Sequence, residues 1–134
     1  MSRQRGSVRL SVTDGQIHTI ITQDEPKLLV EEAEKIGQVL SGTLTKSQIR
    51  NIFGTVRQIQ MNWTGEVQKA ASYRRLLMLK PKIKYQAART REVKPLADVL
   101  DKAIDYVGDD RVRFGRFVDF FEAILAYHTA FGGK

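Results

Sequence analysis

The chain has no cysteine. Disulfides, thiolate nucleophiles and Cys-ligated zinc are therefore excluded, and the composition suits a reducing cytoplasm. Histidine is scarce: His18 and His128 are the two in the sequence, and they lie far apart. His128 falls on an apolar stripe, where a hydrogen-bonded core histidine is expected. No apolar run is longer than Ala123 to Tyr127, far short of the ~20 residues a membrane-spanning helix needs. Arg3, Arg5 and Arg9 are followed by no continuous apolar segment, so no signal peptide is expected. No phosphate-cradling G-x-x-x-x-G-K-[ST] or G-x-G-x-x-G motif occurs. Asp109-Asp110 has no third acid or histidine at supporting spacing, and paired acids before a helix read as N-caps. No acid–base pair with a definable geometry emerges, no metal or cofactor site is expected, and catalysis is disfavoured.

A further absence is local. Between Lys69 and Arg91 there is no Asp or Glu, while Lys69, Arg74, Arg75, Lys80, Lys82, Lys84, Arg89 and Arg91 supply eight positive charges. Residues 1–68 carry net +1 and residues 92–134 net −2, so this one block accounts for the chain's formal +7. Uniform basicity mainly affects solubility, whereas a local block makes a field that attracts a polyanion. Phosphate backbones are the commonest such partner. The competing reading is a solvated helix face of scattered lysines.

What remains is an ordinary globular composition, 42% apolar and 28% charged over 134 residues, which fits one domain with a real core. From Asp24 onward the periodicity is helical. Asp24, Glu25 and Pro26 suit a first turn, and Leu29, Ala33, Ile36 and Leu40 share one face before Gly42, a left-handed stop. Thr45 and Gln48 have capping-box spacing, with Leu44 and Ile49 placed as a hydrophobic staple. Ile49, Ile52, Phe53, Val56, Ile59 and Trp63 then form a core stripe, flanked by a basic stripe of Lys46, Arg50 and Arg57. A third helix runs from near Glu66 to Lys80, and is kinked or broken at Pro81 before reaching about Thr90. A fourth follows Pro95 and stops at Gly108.

The last helix carries Phe114, Phe117, Val118, Phe121, Ile124, Leu125 and His128 on one stripe. Phe120, Tyr127 and Phe131 form a second aromatic face. Two apolar faces mark a central helix or a partner surface. The second face is expected to meet an adjacent subunit in part, with Arg113 and Arg116 as its rim. Trp63 and Tyr85 are candidates for stacking on bases, although Trp63 also fits its core stripe. Residues 1–23 read differently: Val8, Leu10 and Val12 alternate with polar residues, Asp14-Gly15 is a turn signal, and Ile17, Thr19 and Ile21 alternate again. They are expected to form an N-terminal arm, either a docked hairpin or an extended tail. The whole reads as an all-α bundle of about five helices over residues 24–134 plus that arm.

Three stretches, Leu44 to Phe53 (LTKSQIRNIF), Leu79 to Thr90 (LKPKIKYQAART) and Phe117 to Gly133 (FVDFFEAILAYHTAFGG), resemble the small subunit of type III-A CRISPR effector (Csm) complexes. That family typically shows LT-x-S-x-[IL]-R-N, then L-x-P-K-L-x-Y-x-A-x-R, then an aromatic ending EA-x-x-AY-x-x-x-x-GG. The three together cover about a third of the chain, in order. Ala88 departs from the pattern, which often has Gly before the Arg, and residues 1–23 match nothing in it. The resemblance implies a compact helical bundle without nuclease activity, in a prokaryotic cytoplasm. It implies several copies stacked along a guide RNA–target RNA duplex, contacting the backbone subunit, the large subunit and one another. Target cleavage then belongs to the repeated backbone subunit. Sequence is read by base pairing, so phosphate contacts suffice. The residues expected to bind RNA are Lys46, Arg50, Arg57, Lys80, Lys82, Lys84, Arg89 and Arg91. The alternatives are a stand-alone helical DNA-binding regulator, which needs a recognition helix and set half-site spacing, and an assembly scaffold whose basic ridge meets acidic protein surfaces.

Overall fold

The computed structural model describes residues 9–133. Among them the chain forms six α-helices and no strand: α1 (Asp14–Thr22), α2 (Pro26–Leu40), α3 (Lys46–Asn62), α4 (Lys69–Arg89), α5 (Lys94–Val107) and α6 (Arg111–Ala130). Single 3-10 turns at Glu66–Gln68 and Arg91–Val93 lead into α4 and α5. The expected helical bundle is therefore the observed one.

The organising element is α6. It packs against α1, α2, α3 and α5, so its aromatic residues face partners on several sides. Phe114, Phe117, Phe120 and Phe121 are all fully buried. The assignment of Phe120 to an outward face is thus wrong, because a helix surrounded on most sides has no single buried stripe. Phe131 alone of that second face is well exposed, and Tyr127 is half-buried. Arg113 and Arg116 form no outward rim either. They donate inward to the carbonyls of Tyr106 (3.2 Å) and Ile21 (3.3 Å).

Helix α2 lies close against α6. This is possible because Gly37 has no side chain: a Cβ there would lie 2.6 Å from Tyr127 Cβ and 2.8 Å from the backbone nitrogen of His128. At the same end of α6, His128 is buried and its Nε2–H donates to the carbonyl of Leu44 at 2.6 Å. That bond ties the start of α3 to the central helix. Gly133 lies over the His128 ring, leaving no room for a side chain there.

The N-terminal segment differs from the expected hairpin or tail. Asp14-Gly15 is no turn: Thr13 caps a helix, its hydroxyl accepting from Gln16 N at 3.1 Å while Gln16 Oε1 accepts from Thr13 N at 2.8 Å. Ile17, Ile20 and Ile21, at helical spacing, are buried, and α1 packs on α2, α5 and α6. Tyr106 of α5 donates to Asp14 Oδ2 at 2.8 Å and fastens its start. The part of the arm that includes Val8 lies outside the described residues. Gly42 is also not a left-handed stop. Among the described residues the positive-φ ones are Gly108 and Gly132, and α2 ends on Ser41 in right-handed geometry.

Candidate nucleic-acid interface

Helix α4 carries most of the basic block and packs between α3 and α5. Its buried face is Ser72, Leu76, Leu79 and Ile83, all at helical spacing. Pro81 does not break it. The proline lies on the exposed side near Leu77, where the carbonyl left without an N–H partner faces water.

Seven-residue spacing puts Arg75, Lys82 and Arg89 on the edge of α4 that meets α3. Lys82 lies in a groove with Thr55, Gln58 and Asn62 of α3 and with Arg74, Arg75 and Met78 of α4. Farther along, Lys82 and Arg89 line a second depression with Tyr85 and Gln86, facing Gln48 and Asn51. No carboxylate lines either one. The α3 side of this groove is a stripe of neutral amides and a hydroxyl, Gln48, Asn51, Thr55, Gln58 and Asn62. Among the described residues, no ion pair engages Arg74, Arg75, Lys82, Lys84, Arg89 or Arg91.

The opposite edge of α4 faces α5, and there the acids are waiting. Asp98, Asp101 and Asp105 recur on one face of α5. Lys80 is hydrogen-bonded to Asp105 and lies 3.6 Å from Asp101. The Asp105 hydrogen bond is the main cause of a Lys80 pKa above its ordinary 10.5, with burial opposing it and the charges of Asp101 and Asp105 adding to it. Lys69, on the same edge, reaches Asp109 at 3.7 Å and Glu66 at 3.9 Å. Lys84 lines the α4–α5 depression with Lys80, Lys94, Asp98 and Asp101, but makes no ion pair itself.

The stripe of Lys46, Arg50 and Arg57 falls on a third surface. By the 3.6-residue period it is roughly 140° around α3 from the amide stripe, beside the edge where Phe53 meets α6. Arg57 lies over the Phe53 ring at 5.9 Å, and Phe53 meets Phe121 of α6 edge-on at 5.1 Å. The eight basic positions are thus distributed and do not form one ridge. Lys82 and Arg89 share the α3–α4 groove, Lys80 and Lys84 face α5, Lys46, Arg50 and Arg57 line the outer flank of α3, and Arg91 is exposed in the turn after α4.

The start of α3, which borders the groove, is built as its sequence requires. Gln48 N donates to Thr45 Oγ1 at 3.1 Å and Thr45 N to Gln48 Oε1 at 2.8 Å. Leu44 and Ile49, the staple positions, are both buried. Of the aromatic candidates, Trp63 is buried and stacks on Phe114 at 5.2 Å, whereas Tyr85 is 62% exposed with the Arg89 guanidinium over its ring at 5.7 Å. Asp110 acts as the N-cap of α6, accepting from Val112 N and Arg113 N at 2.9 and 3.1 Å.

The Csm2 Type III-A family model matches residues 23–134, everything from the end of α1 onward. The chain belongs to the Csm2 Type III-A family. It is a small subunit of the type III-A Csm effector complex, whose other subunits are its partners by membership. No curated protein and no solved structure matches it. The Csm2 match begins after α1, which agrees with a resemblance that left residues 1–23 unassigned. The α3–α4 groove and all eight basic positions lie inside the matched stretch. No helix among the described residues is long and apolar enough to cross a membrane.

Proposed function

We propose that this subunit binds the guide RNA–target RNA duplex of the effector through its phosphate backbone, independently of sequence, and that copies stack along the duplex to support antiviral interference. The observation that carries the reading is the asymmetry of α4. On its α5 edge Lys69 and Lys80 are answered by aspartates, while its α3 edge holds Arg75, Lys82 and Arg89 beside neutral amides without a carboxylate. Unneutralised guanidinium and ammonium groups beside hydrogen-bonding amides suit phosphate and ribose oxygens. Arg50, Arg57, Lys84 and Arg91 extend the field beyond the groove. In this reading the subunit is non-catalytic, which the structural role of its family supports.

The test is binding to several unrelated RNA sequences across a salt series. Neutralising Arg50, Arg57, Lys82, Lys84, Arg89 and Arg91 one at a time should flatten the slope of log affinity against log salt by about 0.7 to 0.9 per lost phosphate contact. The loss should be equal for every sequence. A loss confined to one sequence would instead indicate base readout, as in a DNA- or RNA-binding regulator. No loss would favour the scaffold.

A further inference from the structure

We propose that the depression between the first turns of α3 and the last turns of α4 is a subsite for one unpaired RNA nucleotide, its base stacked on Tyr85. The proposal rests on the phosphate-binding reading above and adds a specificity to it, because a continuous duplex has no free base to offer.

The chemistry of the depression is divided in the way a nucleotide is. Lys82 and Arg89 supply cations for the phosphate. Tyr85 supplies an aromatic surface that is well exposed even though the Arg89 guanidinium, 5.7 Å from the ring centroid, covers one face. A large exposed aromatic ring in a cationic setting is a stacking platform, and stacking is tolerant of base identity because every base has a π-face. Asn51, Gln86 and Gln48 supply amides for base edges or the ribose hydroxyl. Gln48 is already oriented: its Oε1 is engaged by Thr45 N, which leaves its NH₂ as a donor toward the depression. The volume, about 460 Å³, lies within the ~300–1,000 Å³ usual for small-ligand sites. No lining residue is an acid that would repel phosphate.

The experiment uses the isolated full chain with two probes, a 12-nucleotide RNA single strand and the same sequence as a blunt duplex, measured by fluorescence anisotropy at several salt concentrations. Tyr85→Ala is expected to weaken single-strand binding roughly tenfold, with duplex affinity and both salt slopes unchanged. Tyr85→Phe, which keeps the ring, is expected to bind the single strand like the parent. Unaltered melting of both variants confirms that the exposed position leaves the fold intact. An equal loss on both probes, or no loss on the single strand, overturns the subsite. If Tyr85→Ala is silent while neutralising Lys82 and Arg89 still flattens the salt slope, the subsite fails and backbone binding stands. If the parent chain binds neither probe, both fail together.

Discussion

The two edges of α4 are made from the same residue types and face opposite surroundings. Toward α5, Lys80 finds Asp101 and Asp105 on that helix, and Lys69 finds Asp109 in the turn that follows it. Toward α3, Arg75, Lys82 and Arg89 find amides. A basic residue's function is set less by its own charge than by whether the fold supplies an anion for it. An answered lysine holds helices together, and an unanswered one remains available to a polyanion. The acid-free sequence between Lys69 and Arg91 gives no sign of this division, because the neutralising aspartates come from later in the chain.

Four variants break or sharpen that contrast. The largest effect is expected between the edges, at Ile83, which is buried under both. Ile83→Ala should cost about 2–5 kcal/mol in urea unfolding and loosen the α3 and α5 contacts together. If it cost less than about 1 kcal/mol, α4 would be held by its charged edges, and its α3 edge would serve the fold rather than a polyanion. Next comes the α3 edge itself. The combined Arg75→Gln, Lys82→Gln and Arg89→Gln chain should flatten the RNA salt slope by about 2 with little change in melting, since these side chains are exposed. An unchanged slope would move the interface to the outer flank of α3, where Arg50 and Arg57 lie.

The third effect is local. Thr45→Ala removes the cap of α3 and should cost about 1 kcal/mol. Because α5 has no side-chain cap and does not depend on Thr45, hydrogen exchange should rise in the first turn of α3 while α5 is unaffected. Equal protection before and after the change would mean that the bond from His128 to Leu44, and not the cap, fixes where α3 begins.

How far the sequence reveals these features depends on whether the deciding partner is local. The box of Thr45 and Gln48 is legible because both partners lie within one turn. The same motif at Thr13 and Gln16 is equally local, yet Asp14-Gly15 inside it resembles a hairpin turn and masks it. Only the burial of Ile17, Ile20 and Ile21 against α5 and α6 decides between the two. Phe120 is misread for another reason. An apolar stripe identifies one buried face, and α6 is covered on several, so its burial depends on four other helices. For α4, Pro81 suggests a broken wheel, whereas the helix continues and the seven-residue spacing of Arg75, Lys82 and Arg89 holds. The pairing of Lys80 is hidden by its separation from Asp101 and Asp105. A signal for it does exist: Asp98, Asp101 and Asp105 lie on one helix face, and a solitary acidic stripe in a basic protein asks for a cation. The small-subunit family is readable from the three stretches, but the distribution of the basic residues over separate surfaces is not, because it depends on which flank of α3 meets α4.

The smallest effect tests the answered edge. Lys80→Met keeps much of the stem's apolar contact and removes the ammonium. Exposed or half-exposed ion pairs contribute little, so the loss at neutral pH should be about 0.5–1 kcal/mol. Its dependence on pH is more informative than its size. Folding raises the Lys80 pKa above 10.5, chiefly through the hydrogen bond to Asp105. The fold therefore favours the charged form, and the stability that this supplies is fully present below the ordinary lysine value. It is lost as pH climbs through the raised one, because the unfolded chain releases its proton first. The parent chain should thus be more stable than Lys80→Met at pH 7 to 9, and the gap should narrow once pH passes 10.5. Subtracting the two curves cancels the titration of the other lysines, which both chains share. A gap that stays constant with pH would mean that Lys80 acts through packing alone. RNA binding supplies the second half of the test: the salt slope of Lys80→Met should equal that of the parent. If it falls as it does for Lys82→Gln, then Lys80 leaves Asp101 and Asp105 to meet phosphate, and both edges of α4 belong to the RNA surface.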